Sequence, residues 1–179
     1  MMGSSGLGKS TLASSFPSSG TGTLVADDGI IVRVTGSSPS LVGAYACPRL
    51  QTDSVDALGL SEHSTSLERP PWAKHTLMMA PDRRVATSPV LVRGFFLLRS
   101  PCPDQRDIVV APLIGFSAVI ALIENSFLID SSDRGLIRRQ FEAASALIRT
   151  GCPVYSLTYP RRFADLPQVR ARILSALRD

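Results

Sequence analysis

The sequence predicts a single α/β domain, and three observations predict it. Apolar strand-like runs alternate with helix-like segments along 179 residues, a length that suits one core. No internal repeat and no long linker divides the chain. The first residues, GSSGLGKST, satisfy the phosphate-loop pattern G-x-x-x-x-G-K-[ST] at Gly3, Gly8, Lys9 and Ser10. Chance produces that pattern in about one chain in a hundred or fewer.

Taken in order, residues 9–16 read as a short helix that starts on the loop and stops at Pro17 and the SSGTGT after it. TLVADD reads as a buried strand ending in Asp27 and Asp28. After a turn at Gly29 comes a second strand, IIVRV, and then a loop, TGSSPS. DSVDALGL is a short helix capped by Asp53 or Thr52. Residues 61–75 form an irregular loop, because Pro70 and Pro71 exclude a helix. VLVRGFFLL and DIVVAPL are strands and GFSAVIALIENSF a buried helix. Leu136, Ile137, Phe141, Ala144, Leu147 and Ile148 fall at helical spacing in a helix over 133–149 that Gly151 ends. PVYSLTY is a strand, and Asp165 caps a final helix, LPQVRARILSAL.

Composition narrows the functional classes. The net charge is +4, but its Arg residues are scattered without interleaved aromatics, so nucleic acid is not an expected partner. No apolar run reaches the roughly 18 residues of a membrane span, and no membrane partner is expected. Cys47, Cys102 and Cys152 lack metal-ligand spacing and suit a reducing, cytoplasmic setting. Only two of 19 basic residues are lysines, and one of them, Lys9, occupies the loop position that needs a compact ammonium.

In such a loop the glycines turn successive backbone N–H groups toward one anion, and the helix adds its positive end. The expected phosphate cradle is Gly3, Ser4, Ser5, Gly6, Leu7, Gly8, Lys9, Ser10 and Thr11, with Lys9 reaching the β- and γ-phosphates and Ser10 on Mg²⁺. Phosphoryl transfer also needs a carboxylate at the metal and a base for the acceptor, and Asp27 and Asp28 are the candidates. Neighbouring strand residues point to opposite faces, so the two carboxylates divide those roles. A plain Asp-Asp-Gly turn is the alternative.

GSSGLGKSTLA followed by LVADDGIIV resembles the HPr kinase/phosphorylase C-terminal domain family, and more closely its small bacterial serine-kinase-like relatives. YACPRLQTDSVDALGL, VRGFFLL, AVIALI and CPVYSLTYP resemble that family more loosely, so the likeness runs along most of the chain. It implies a P-loop nucleotide fold similar to phosphoenolpyruvate carboxykinase, with a mixed central sheet flanked by helices, ATP and Mg²⁺ as cofactors, and a serine hydroxyl of a small protein or peptide as acceptor. It places catalysis on Asp27, Asp28 and Lys9, with Asp27 as base and Asp28, with Ser10, nearer the metal. Self-assembly into a homo-oligomer stays open. The alternative is a nucleotide-binding module without kinase activity.

Three departures from the family stand out. Only Met1 and Met2 precede Gly3, so the strand that normally carries the loop is expected to be missing and the loop poorly anchored. A family histidine expected in that same upstream sequence has no counterpart, the phosphorylase signature is not recognisable, and FPSSGTG makes the helix after the loop unusually short. Among remaining candidates, His63, His75 and Lys74 read as surface groups or lid contacts. Trp72 reads as an anchor or an adenine platform, Arg93 as an edge position, and Arg161-Arg162 as a solvated turn or a grip on an acidic partner.

Overall fold

The computed structural model describes residues 1–27, 29–42, 48–65, 74–77, 90–127, 130 and 132–178. Its centre is a three-stranded sheet in which β9 (Val154–Thr158) lies between β7 (Phe95–Leu98) and β8 (Val109–Leu113), parallel to the first and antiparallel to the second. Side chains alternate across it, as the two-residue period of a strand requires. Phe95, Leu97 and Val154 face a core with Ala118, Val119, Leu122, Ala144 and Leu147, from α3 (Phe116–Glu124) and α4 (Arg134–Arg149). Phe96, Leu98 and Leu157 face a second core with Leu12 of α1 (Lys9–Ser18) and Val169 and Ile173 of α5 (Leu166–Ala176). Helices thus cover both faces, and all four β7 residues are buried. The class is α/β.

The sheet gains one further residue at its β7 edge. Met2 bridges Leu97 in parallel; its N–H donates to the Phe96 carbonyl at 2.8 Å and its carbonyl accepts from Leu98 N–H at 2.9 Å. The loop that begins at Gly3 is therefore held at its front end by two ladder hydrogen bonds, contrary to the poor anchoring expected from sequence.

Two small antiparallel sheets lie outside this centre. β1 (Ile31–Thr35) and β2 (Ser38–Val42) form a hairpin, and β2 also pairs with β6 (Val90–Leu91). β3 (Arg49–Leu50) and β4 (Ser64–Thr65) flank β5 (His75–Leu77), while α2 (Thr52–Ala57) and a 3₁₀ turn at Ser61–His63 lie between β3 and β4. A third cluster, Leu50, Val55, Leu60 and Leu77, holds this part together.

Several expectations are corrected. The stretch read as the loop TGSSPS contains the first three residues of β2, because Gly36, at φ 66°, begins a two-residue turn and Pro39 still offers its carbonyl to Val92 N–H. Residues 23–27 of the expected strand TLVADD join no ladder among the described residues, although Leu24 is buried. VLVRGFFLL is split between two sheets, so Arg93 lies between β6 and β7 rather than inside a strand. α1 runs past its expected stop to include Pro17. The proline has no N–H to give the Ala13 carbonyl one turn back, and nearby serine hydroxyls take other carbonyls of the helix, Ser15 Oγ donating to Leu12 at 2.7 Å.

Helix α2 has Gln51 at its cap position, so neither Asp53 nor Thr52 caps it. Asp53 instead accepts from Ser54 N–H at 2.6 Å. Helix α3 buries one face only: Phe116, at its start, is 69% exposed. In α4, Ala144 and Leu147 are buried, whereas Ile137 and Phe141 are exposed. Asp133 caps that helix, accepting from Gly135 and Leu136 N–H. The Asp165 side chain does not cap α5; it pairs with Arg162. Residues 66–73, which include Pro70, Pro71 and Trp72, lie outside the described residues, as do Asp28 and Cys47 and the side chain of His63. Among the described residues no helix is long and apolar enough to cross a membrane.

Candidate functional site

The loop from Gly3 to Gly8 carries the chain from the Met2 bridge to the N-terminus of α1. Its three glycines all have positive φ, at 137°, 79° and 80° for Gly3, Gly6 and Gly8, a region that other residues enter only with strain. Gly3 also needs its missing Cβ, because that atom would stand 2.8 Å from the Leu98 carbonyl oxygen. Leu7 packs against the core shared by α1 and α5 and pins the loop from below.

Gly8 is the N-cap of α1, which has no side-chain cap and no acidic residue in its first turn. The N–H groups of Lys9, Ser10 and Thr11 therefore have no intrahelical acceptor, and the helix end is a region of positive potential. Lys9 Nζ donates to the Ser4 carbonyl at 2.9 Å, so the ammonium lies across the loop. Thr11 Oγ1 is 3.1 Å from Ser54 Oγ, a hydrogen bond that ties α1 to α2.

Of the two aspartates predicted for the site, Asp27 lies beside the first turn of α1 and Asp28 is outside the described residues. Ser10 Oγ donates to Asp27 Oδ1 at 3.0 Å, and Arg49 N–H donates to Oδ2 at 3.3 Å. One carboxylate is thus fixed by the first turn of α1 and by β3, although residues 23–27 form no strand. The pair of oxygens supplied by Ser10 and Asp27 is a hard donor set of the kind Mg²⁺ takes in nucleotide sites, where one or two protein oxygens suffice and phosphate and water supply the rest. No group of three His, Cys, Asp or Glu suited to a metal occurs among the described residues.

Ser5, Gly6, Gly8, Lys9, Ser10, Thr11 and Asp27 line a cleft of about 420 Å³, whereas Gly3, Ser4 and Leu7 of the expected cradle do not. Lys74, from the other side, lines it as well, whereas His75 and Arg93 do not. His75 Nε2 lies 2.9 Å from Thr52 Oγ1. Among the described residues, five cations, Lys9, Arg49, Lys74, Arg161 and Arg162, line the cleft against two carboxylates, Asp27 and Asp53. That imbalance favours a polyanion.

The segment after β9 forms a wall that sequence reasoning did not place. Tyr159 is buried, and burial pushes its phenol pKa up against the opposing charge of Arg161. Arg161 donates from Nη2 to the Gly6 carbonyl at the loop tip. Arg162 is engaged elsewhere, in a two-pronged pair with Asp165 at 2.8 and 3.2 Å. That hydrogen-bonded carboxylate holds the Arg162 guanidinium above its usual pKa. Phe163 lines the cleft and is 39% exposed. The available signal was positional: a strand parallel to β7 ends beside a loop that itself starts at the β7 edge, so residues just past PVYSLTY meet the loop.

Compared with known proteins, the chain matches no family model, no curated protein and no solved structure.

Proposed function

We propose that the chain is an ATP-dependent phosphotransferase that acts on a hydroxyl, serine by preference, of a small protein or peptide, and that its fold is the phosphate-loop type of the HPr kinase and phosphoenolpyruvate carboxykinase class. The observation that carries this reading is the 3.0 Å hydrogen bond from Ser10 to Asp27, which joins the phosphate-loop motif to a carboxylate 17 residues away. A phosphate loop alone is a nucleotide cradle; joined to a carboxylate it can also hold the metal that phosphoryl transfer requires.

Gly3 to Thr11 bind the phosphate chain through backbone N–H groups, and Lys9 leaves the Ser4 carbonyl for phosphate oxygens. Ser10 and Asp27 hold Mg²⁺, which when bound offsets the charge that develops on the phosphate oxygens. This moves Asp27 from the base role expected of it to the metal side and leaves the acceptor proton to Asp28. In the transfer, the acceptor oxygen forms a bond to the γ-phosphorus as its proton passes to the base. The bond from that phosphorus to the bridging oxygen breaks, and ADP departs. The +4 net charge and the cation-lined cleft suit the nucleotide rather than a nucleic acid strand.

Calorimetric titration of Mg·ATP into the chain and into its Lys9→Ala variant tests the reading. Binding that the substitution abolishes is expected, with Asp27→Asn weakening it in Mg²⁺ but much less in EDTA. A folded chain that does not bind Mg·ATP overturns the proposal.

A further inference from the structure

The loop accounts for the phosphates of a nucleotide but not for its base, and the wall after β9 supplies what is left. We infer that residues Tyr159 to Phe163 are the second half of a nucleoside-triphosphate site, with Phe163 as the platform on which the base stacks and Arg161 as a clamp on the phosphate chain. The inference rests on the phosphate-loop reading above and adds the nucleoside to it.

Observations on both residues carry it. Phe163 is the exposed aromatic among the described residues that line the cleft, 39% exposed where Tyr159 is buried. A phenyl ring left open beside a phosphate-binding loop offers a π-face to any base. Phe163 is held in place rather than loose, since it opens a 3₁₀ turn whose first backbone bond, Asp165 N–H to the Arg162 carbonyl, is 3.1 Å long. The Arg162–Asp165 pair spans the same turn.

Arg161 has the complementary property. It donates to the Gly6 carbonyl and forms no ion pair among the described residues, in contrast to its neighbour Arg162. Its guanidinium carries five N–H donors in a planar fork, so most of them are left to phosphate oxygens. It also lies 3.9 Å from where a Cβ on Gly8 would stand, at the point where the loop passes into α1. A cation at the loop tip and a ring two residues further on match the order of a nucleotide, phosphates followed by base.

Isothermal titration of Mg·ATP and of magnesium tripolyphosphate separates the two roles, because the second ligand has phosphates and no base. With the native chain, both ligands are expected to bind and Lys9→Ala to abolish both. Phe163→Ala is expected to weaken ATP about 5- to 100-fold and to leave tripolyphosphate within about twofold, with Phe163→Trp retaining ATP. Arg161→Ala is expected to weaken both ligands about 10- to 100-fold, and Arg161→Gln provides the same test should the alanine variant fold poorly. Equal weakening of both ligands by Phe163→Ala makes the ring a structural prop and overturns the inference, as does no effect of Phe163→Ala on ATP. If Lys9→Ala abolishes binding while the Phe163 variants bind like the native chain, the inference fails alone. If the folded native chain binds neither ligand, the phosphate-loop reading fails and takes the inference with it.

Discussion

Replacing Gly3 with alanine tests how the phosphate loop is held. The backbone there has φ 137°, a conformation essentially reserved for glycine, and forcing another residue into it costs about 1–3 kcal/mol. The added methyl would also stand 2.8 Å from the Leu98 carbonyl oxygen and 3.3 Å from Leu7 Cδ1. The first contact is with backbone and has little freedom to yield. Relief requires Met2 and β7 to separate, which lengthens the hydrogen bonds that Met2 makes at 2.8 and 2.9 Å. Losing one of them adds about 1 kcal/mol. The expected loss is therefore about 2–4 kcal/mol, read as a lower denaturation midpoint in urea or a fall in Tm of about 5–15 °C. Gly6→Ala is the control, because Gly6 has φ 79° and no atom within 4 Å of its Cβ position, leaving only the left-handed backbone cost of about 1–2 kcal/mol. Equal destabilisation by the two substitutions, within about 0.5 kcal/mol, would refute the argument that close approach to Leu98 anchors the loop.

Two further substitutions test the frame around the site. Asp133→Ala removes the side chain that accepts from Gly135 and Leu136 N–H at 2.7 and 3.1 Å, and a loss of about 1 kcal/mol in urea unfolding is expected, most of it regained with serine. Gly94→Ala puts a methyl 2.7 Å from Leu177 Cδ2, the end of a flexible side chain, so about 1–2 kcal/mol of overpacking is expected. Leu177→Ala in the same chain should relieve it, giving a double variant about 1 kcal/mol more stable than additivity allows; strict additivity would sink this account of the β7 entrance.

What was legible in the sequence was local. The phosphate-loop spacing located the three positive-φ glycines and the start of α1. The 3.6-residue period of its apolar residues located α4 to within a residue at its start. Runs of apolar residues located β8 and β9, although β9 buries only Val154 and Leu157 and β8 buries none of its residues. Where tertiary pairing decided the outcome, the same reasoning failed. Ser38–Val42 is polar and contains a proline, and it is a strand because β1 and β6 offer it partners on both edges. The TLVADD stretch has strong β composition, yet none of the described ladders includes its residues 23–27.

The candidate site divides along the same line. Its first half, residues 3–11, is contiguous, and a motif can describe it. Its second half, residues 159–163, lies 155 residues away where Arg161 meets Gly6, and no pattern within either segment refers to the other. β7 joins them: Met2 pairs with one of its edges and β9 with the other, both in parallel. The chain therefore runs off the sheet in the same direction at Gly3 and at Tyr159, and the two exits meet over the N-terminus of α1. Parallel pairing has a directional consequence that antiparallel pairing lacks, since it collects the ends of strands distant in sequence on one side of the sheet. It follows that the loop motif and the wall opposite it depend on one register. A slip of β9 by a single residue against β7 would send Leu157 to the face occupied by Val154, and with it would move Arg161 away from the Gly6 carbonyl.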